Sequence, residues 1–167
     1  MTAGATYQTI STNTLASAAS SVTFSSISGS YTDLVLIGNG LVTVSNSGVN
    51  ITFNNTGGGT YSITRLIGDA STANGQRSTN QDSGILNYNG NWTTANNDSN
   101  FIVHINNYSS TFNYKTYLSR ANRYDSGTDL IMGLWRSTAA INTITLAPAA
   151  NQFAAGATFT LYGIAAA

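Results

Sequence analysis

One histidine, six aspartates, and neither glutamate nor cysteine make up this 167-residue chain's stock of acid–base and metal-binding side chains. His104 sits in Phe101-Ile102-Val103-His104-Ile105, where two-residue alternation puts Phe101, Val103 and Ile105 on one face. Ile102, His104 and Asn106 fall on the other. A lone imidazole can act as general base or metal ligand. The reading favoured here is a strand residue on the more polar face, since no Gly-x-Ser-x-Gly elbow accompanies it. Paired carboxylates could hydrolyse a glycoside. Nearly every aspartate, however, stands beside Gly, Ser or Asn, where the side chain stabilises a turn by bonding nearby backbone. Asp125 and Asp129 bracket Ser126-Gly127-Thr128 and are the best calcium candidates, because hard cations take clustered oxygens. The segment lacks the alternating acids and terminal glutamate of an EF-hand loop, so a turn is preferred and no metal is assigned. Gly57-Gly58-Gly59 has no following Lys-Ser/Thr and is a turn, not a phosphate loop. Neither an enzyme nor a cofactor is expected.

The second chemistry-bearing group is aromatic and cationic. Tyr108, Phe112, Tyr114 and Tyr117 lie near Lys115, Arg120, Arg123 and Tyr124, and Trp135 precedes Arg136. Tyr, Trp and Arg dominate interface hot spots, and aromatic faces also stack on sugars and bases. Tyr108, Tyr114, Tyr117, Arg120, Arg123, Trp135 and Arg136 are therefore the candidates for a subunit contact. The competing reading has the aromatics filling a core while the arginines pair with aspartates.

What must position these residues is β-structure. Charged residues are 7% of the chain, against roughly 25% in an ordinary domain. Ser, Thr, Asn and Gly replace the surface helix formers and suit strands and turns. Val22 and Phe24 alternate with polar neighbours, and Leu34 to Ile37 is apolar on both faces, like a central strand. Gly38-Asn39-Gly40 then leads into Leu41 to Val44, either as a hairpin or as one bulged strand. Further strands are expected at 49–53, 61–67, 85–88, 101–105, 114–118, 130–135, 141–146 and 158–164. Turns are expected at Asn54 to Gly59 and Asn89-Gly90, and polar loops at 68–84 and 91–100. Pro148 should end a strand. No segment sustains a helical period. The pattern predicts an all-β, single-domain antiparallel sandwich, jelly-roll-like, of about ten short strands. Residues 1–13 are expected as an N-terminal arm whose backbone donors a neighbour could satisfy, and 14–167 as the sandwich.

Net charge is zero, so the excess cations that grip nucleic acid or an anionic membrane are missing. Without cysteine there are no disulfides or thiolate metal sites. Met1 to Ser21 has neither a basic nor a continuous apolar region, so no signal peptide is expected. A near-neutral surface lacks the charge repulsion that keeps monomers apart, which suits a fixed assembly.

Several segments together resemble a family of small virion proteins of tailed bacteriophages, including cyanophages. They are Thr14 to Ile27, Tyr31-Thr32-Asp33-Leu34, Ile51 to Gly57 with Tyr61-Ser62, Tyr114-Lys115-Thr116, Gly133 to Ile141, and Asn151 to Ile164. The resemblance implies a virion structural role, carries no catalytic residues, and implies synthesis in the host cytoplasm. The leading expectation is a capsid decoration, or cement, protein. It would associate with itself as a homotrimer and bind the major capsid protein. The alternative is a tail or fibre component binding host-surface glycan.

Overall fold

In the computed structural model the chain is described over residues 6–44, 47–69, 71–88, 92–94, 99–123 and 127–165. Twelve strands and no helix occur among these residues: β1 Tyr7–Thr14, β2 Val22–Phe24, β3 Asp33–Gly40, β4 Val49–Phe53, β5 Tyr61–Asp69, β6 Ala73–Gln81, β7 Gly84–Ile85, β8 Ser99–Asn106, β9 Lys115–Arg123, β10 Gly127–Trp135, β11 Ile144–Pro148 and β12 Thr158–Ile164. They form an eight-stranded sheet, β1-β12-β3-β8-β9-β10-β5-β6, and a four-stranded sheet, β2-β11-β4-β7. Every pairing is antiparallel.

The connectivity is that of a long hairpin wrapped into two layers. β1 pairs with β12, β2 with β11, β3 with β8 and β4 with β7, as the two arms of one hairpin would. Wrapping then lays β12 against β3 and β11 against β4. These eight strands form a jelly roll, as the sequence pattern predicts. Two inserted hairpins, β5–β6 and β9–β10, extend the larger sheet on the β8 side through β8·β9 and β10·β5 pairing.

Alternation explains how the layers stick together. On β8 Phe101, Val103 and Ile105 are buried, with Ser99 at the strand's start, while His104 and Asn106 are exposed, which is the partition expected from sequence. The small sheet turns Val22, Phe24, Ile51, Phe53, Ile144 and Leu146 inward to meet them. Two aromatic nests fill the middle: Phe53, Tyr61, Tyr117 and Trp135 in one, Trp92, Phe101, Phe153 and Phe159 in the other. Ring separations of 4.8–6.5 Å with mostly tilted or edge geometry suit the aromatic quadrupole.

Four sequence expectations need correction. Leu41 to Val44 is neither a hairpin arm nor a strand; β3 is flanked by β12 and β8, and only Val42 bridges, to Phe153. The chain runs on from β3 past Gly40, whose φ of 147° and 2.7 Å approach to Ala157 leave no room for a side chain. The polar stretch 68–84 is not a loop, because it contains the edge strand β6. The segment read as an arm contains β1, an edge strand bonded to β12 of its own chain. Finally, Asp129 lies in β10 and not in a turn. By contrast, the turn at Asn54 to Gly59 forms as expected. Asn54, Asn55, Gly58 and Gly59 all have positive φ there.

Candidate functional site

The inserted hairpins carry the feature that the jelly roll does not need. On β8, β9, β10 and β5 the residues facing away from the core include six aliphatics, Ile102, Leu118, Leu130, Met132, Leu134 and Leu66, although an outward face can be polar throughout. Strand register lines them up. One row across the sheet reads Ile37, Ile102, Arg120, Leu130, Leu66 and Gly75. The next reads Val35, His104, Leu118, Met132, Thr64 and Arg77. Leu66 is 50% exposed and Leu118 and Met132 are each 41% exposed, so the patch is open to solvent. Single exposed leucines are ordinary, but side chains in register on four neighbouring strands form a contiguous patch of the kind that marks an interaction surface.

The face is grooved. A cavity of about 540 Å³ is lined by Leu118, Met132 and Leu134 together with Arg77, His104 and Thr64. A second, of about 610 Å³, runs past Leu66, Leu130 and Arg120. A smaller depression of about 230 Å³ between His104 and Arg120 joins the two. Exposed aromatics are absent from this stretch among the described residues. Tyr7 and Tyr162 make an edge-to-face pair on β1 and β12, at the far side of the same sheet.

The predicted contact residues divide between core and surface. Tyr108, Tyr117 and Trp135 are buried, so for these three the subunit-contact expectation is corrected: they fill the sandwich. Tyr108 donates its hydroxyl hydrogen to the Ser28 carbonyl and accepts from the Tyr31 N–H. Tyr117 crosses the backbone at Gly84 and Gly133 and donates to the Ile85 carbonyl at 2.9 Å. Burial pushes the hydroxyl pKa values of Tyr61, Tyr108 and Tyr117 above the ordinary tyrosine value. Tyr114 is exposed just before β9, beside the 88%-exposed Phe112. Arg136 is tied by Ser62 Oγ, the Gly59 carbonyl and Asn80 Oδ1, and Arg123 is also engaged. Of the seven, only Arg120 stands on the aliphatic face.

Lys115 is buried, donates to the Asn113 and Thr138 carbonyls at 2.7 and 3.3 Å, and has its pKa lowered by desolvation. The aspartates mostly serve backbone, as expected. Asp69 accepts from the Ser71 and Thr72 N–H groups, which hold its carboxyl at about 2. Asp82 accepts from the Gly59 N–H and Asp33 from the Asn107 N–H. Asp129 is buried and accepts from the Tyr88 N–H at 2.5 Å, while its calcium-site partner Asp125 lies outside the described residues. No three His, Cys, Asp or Glu side chains come together among the described residues.

The outer face escaped sequence reading, although a signal existed. Leu130 to Trp135 is apolar at nearly every position, and Leu66-Ile67 likewise. Such runs in an antiparallel sheet mean that both faces are apolar, so the second face needs a partner.

Neither a family model nor a curated protein matches the sequence. Among solved structures there is a faint likeness to the marine PL-14 alginate lyase from Aplysia kurodai. It has 12% identity and a TM-score of 0.28, and covers 82% of this chain and 72% of that one. At that level it carries no argument about activity.

Proposed function

We propose that this chain is a non-enzymatic structural protein of a tailed-phage virion. It serves as a capsid decoration protein that self-associates as a homotrimer and lays the outer face of its wide sheet on the major capsid protein. The observation that carries the docking reading is the in-register aliphatic patch on β8, β9, β10 and β5. Aliphatic side chains gain by excluding water against another packed protein surface. A glycan platform would instead present Tyr or Trp faces, so the patch favours protein over sugar as the occupant. Placement in a virion rests on the sequence resemblance. The jelly-roll architecture, which recurs in viral capsid proteins, and the scarcity of charge are compatible with it.

A decoration protein stabilises a shell by binding only the assembled form. Particles lacking the chain should therefore break at lower temperature than complete ones while still adsorbing to host cells. Adding back purified protein should restore the lost stability. Leu118→Gln/Met132→Gln protein, which removes aliphatic surface without adding charge, should not restore it. Loss of adsorption with unchanged particle stability would refute this reading and assign the chain to the tail.

A further inference from the structure

Three groups on the docking face have no partner of their own. The side chains of Arg77 on β6, His104 on β8 and Arg120 on β9 make no hydrogen bond, ion pair or ring contact with any described residue. The remaining lysine and arginine side chains are occupied. Arg65 lies over the Tyr88 ring at 4.1 Å and donates to Gln76 Oε1. Lys115, Arg123 and Arg136 are held as described above. Among the acids of the described residues, Asp129 faces inward, Asp69 and Asp82 close turns, and Asp33, on the outer face of β3 beside β8, accepts from the Asn107 N–H and is two strands from β9. In a chain of zero net charge, this face thus gathers two arginines unpaired among the described residues, with His104 between them and aliphatic side chains about them.

Resting on the docking role proposed above, we infer that the occupant is a segment of a different protein chain carrying aspartate or glutamate carboxylates among aliphatic side chains. A second copy fits poorly, because the same face would bring two arginines, Arg77 and Arg120, to the contact with Asp33, already bound to Asn107, as its one carboxylate among the described residues, and unpaired charge buried at a contact is costly. A carboxylate suits the planar guanidinium fork, which binds it through two parallel hydrogen bonds. Geometry sets the spacing. Arg120 and Arg77 are separated by three strand intervals, β9-β10-β5-β6, at roughly 4.8 Å each, and by two residues along the strands, since Arg120 shares a row with Gly75; the separation is about 16 Å. An extended segment running obliquely across the strands covers that distance in about five residues at roughly 3.3 Å per residue. Two acids about five positions apart, with Leu, Ile, Val or Met between them over Leu130 and Leu66, would satisfy both arginines.

A random twelve-residue peptide library selected against the immobilised full chain tests this. Recovered peptides should carry two acids about five residues apart flanking aliphatics. Their addition should shift the ring resonances of His104, the only histidine, which reports occupancy of this face. Arg77→Gln/Arg120→Gln should weaken the selected peptides about tenfold, as expected for two charge-assisted contacts, and Leu118→Gln/Met132→Gln should weaken them as well. Peptides without acids, or acidic peptides indifferent to the arginine pair, would overturn the carboxylate inference. If those peptides still need Leu118 and Met132, the docking reading survives. Recovery of no peptide, peptides that leave His104 unmoved, or self-association abolished by Leu118→Gln/Met132→Gln would overturn the inferred occupant itself.

Discussion

Gly133→Ala tests the packing beneath the proposed face. Gly133 lies on β10 opposite Tyr117 on β9, and the tyrosine ring lies across it. A Cβ built there would sit 1.9 Å from Tyr117 Cε1 and 2.0 Å from Cζ, where contact distances near 3.5 Å are needed. The ring has nowhere to retreat: it is 3% exposed, and its hydroxyl lies 2.3 Å from where a Gly84 Cβ would be. A small backbone shift would cost about 1–3 kcal/mol, as overpacking usually does. Displacing the ring in part would add a share of the cost of losing an aromatic from the core, about 3–5 kcal/mol in full, and of its bond to Ile85, about 1 kcal/mol. The expected destabilisation is about 3–5 kcal/mol, which in a chain of this size lowers Tm by roughly 6–20 °C. Urea unfolding of wild type, Gly133→Ala, Tyr117→Ala and the double variant completes a cycle. The double variant should cost little more than Tyr117→Ala alone, because the clash disappears with the ring. A loss under about 1 kcal/mol for Gly133→Ala, or full additivity in the cycle, would refute this packing account.

Other consequences follow from the same contacts. Tyr108→Phe removes a hydroxyl shared by Ser28 and Tyr31 and should cost about 1–2 kcal/mol in urea unfolding. Because the pKa values of Tyr61, Tyr108 and Tyr117 are raised in the folded chain, their contribution is complete below pH about 10 and lost as pH rises beyond it. Tyr117→Phe should flatten that alkaline limb of the stability–pH curve. The carboxyl of Asp69 is depressed to about 2, so its contribution is present above the ordinary aspartate value and lost as pH falls through about 2. The Tm gap between wild type and Asp69→Asn should therefore close between pH 5 and pH 2. Leu118→Gln and Met132→Gln, both on the outer face, should each change folding stability by no more than about 1 kcal/mol.

The sequence was legible where burial is one-sided. Phe101 to Ile105 shows its alternation directly, and the jelly-roll expectation needed only strands and turn signals. It was illegible where hydrogen bonding alone makes the strand. Ala73–Gln81 has no sizeable apolar face because, as an outermost strand, it covers no core; the ladder to β5 and the Arg65–Gln76 contact hold it. Residues 1–13 were read as an arm for a related reason, the one inward anchor of β1 being Ile10. Tyr117 and Trp135 resembled hot spots because aromatic composition is shared by cores and interfaces. Only the glycines at 84 and 133, which let the ring of Tyr117 lie flat on backbone, distinguish the two roles. The aliphatic face depends on register across strands distant in sequence, β8 beside β9 and β10 beside β5, which no local pattern encodes.

The most direct test of the central claim is an electron cryomicroscopy map of the parent particle that resolves this chain in place. The docking account predicts density from another protein packed over Leu66, Leu118, Leu130 and Met132. A chain seated on the particle with that face open to solvent would contradict it.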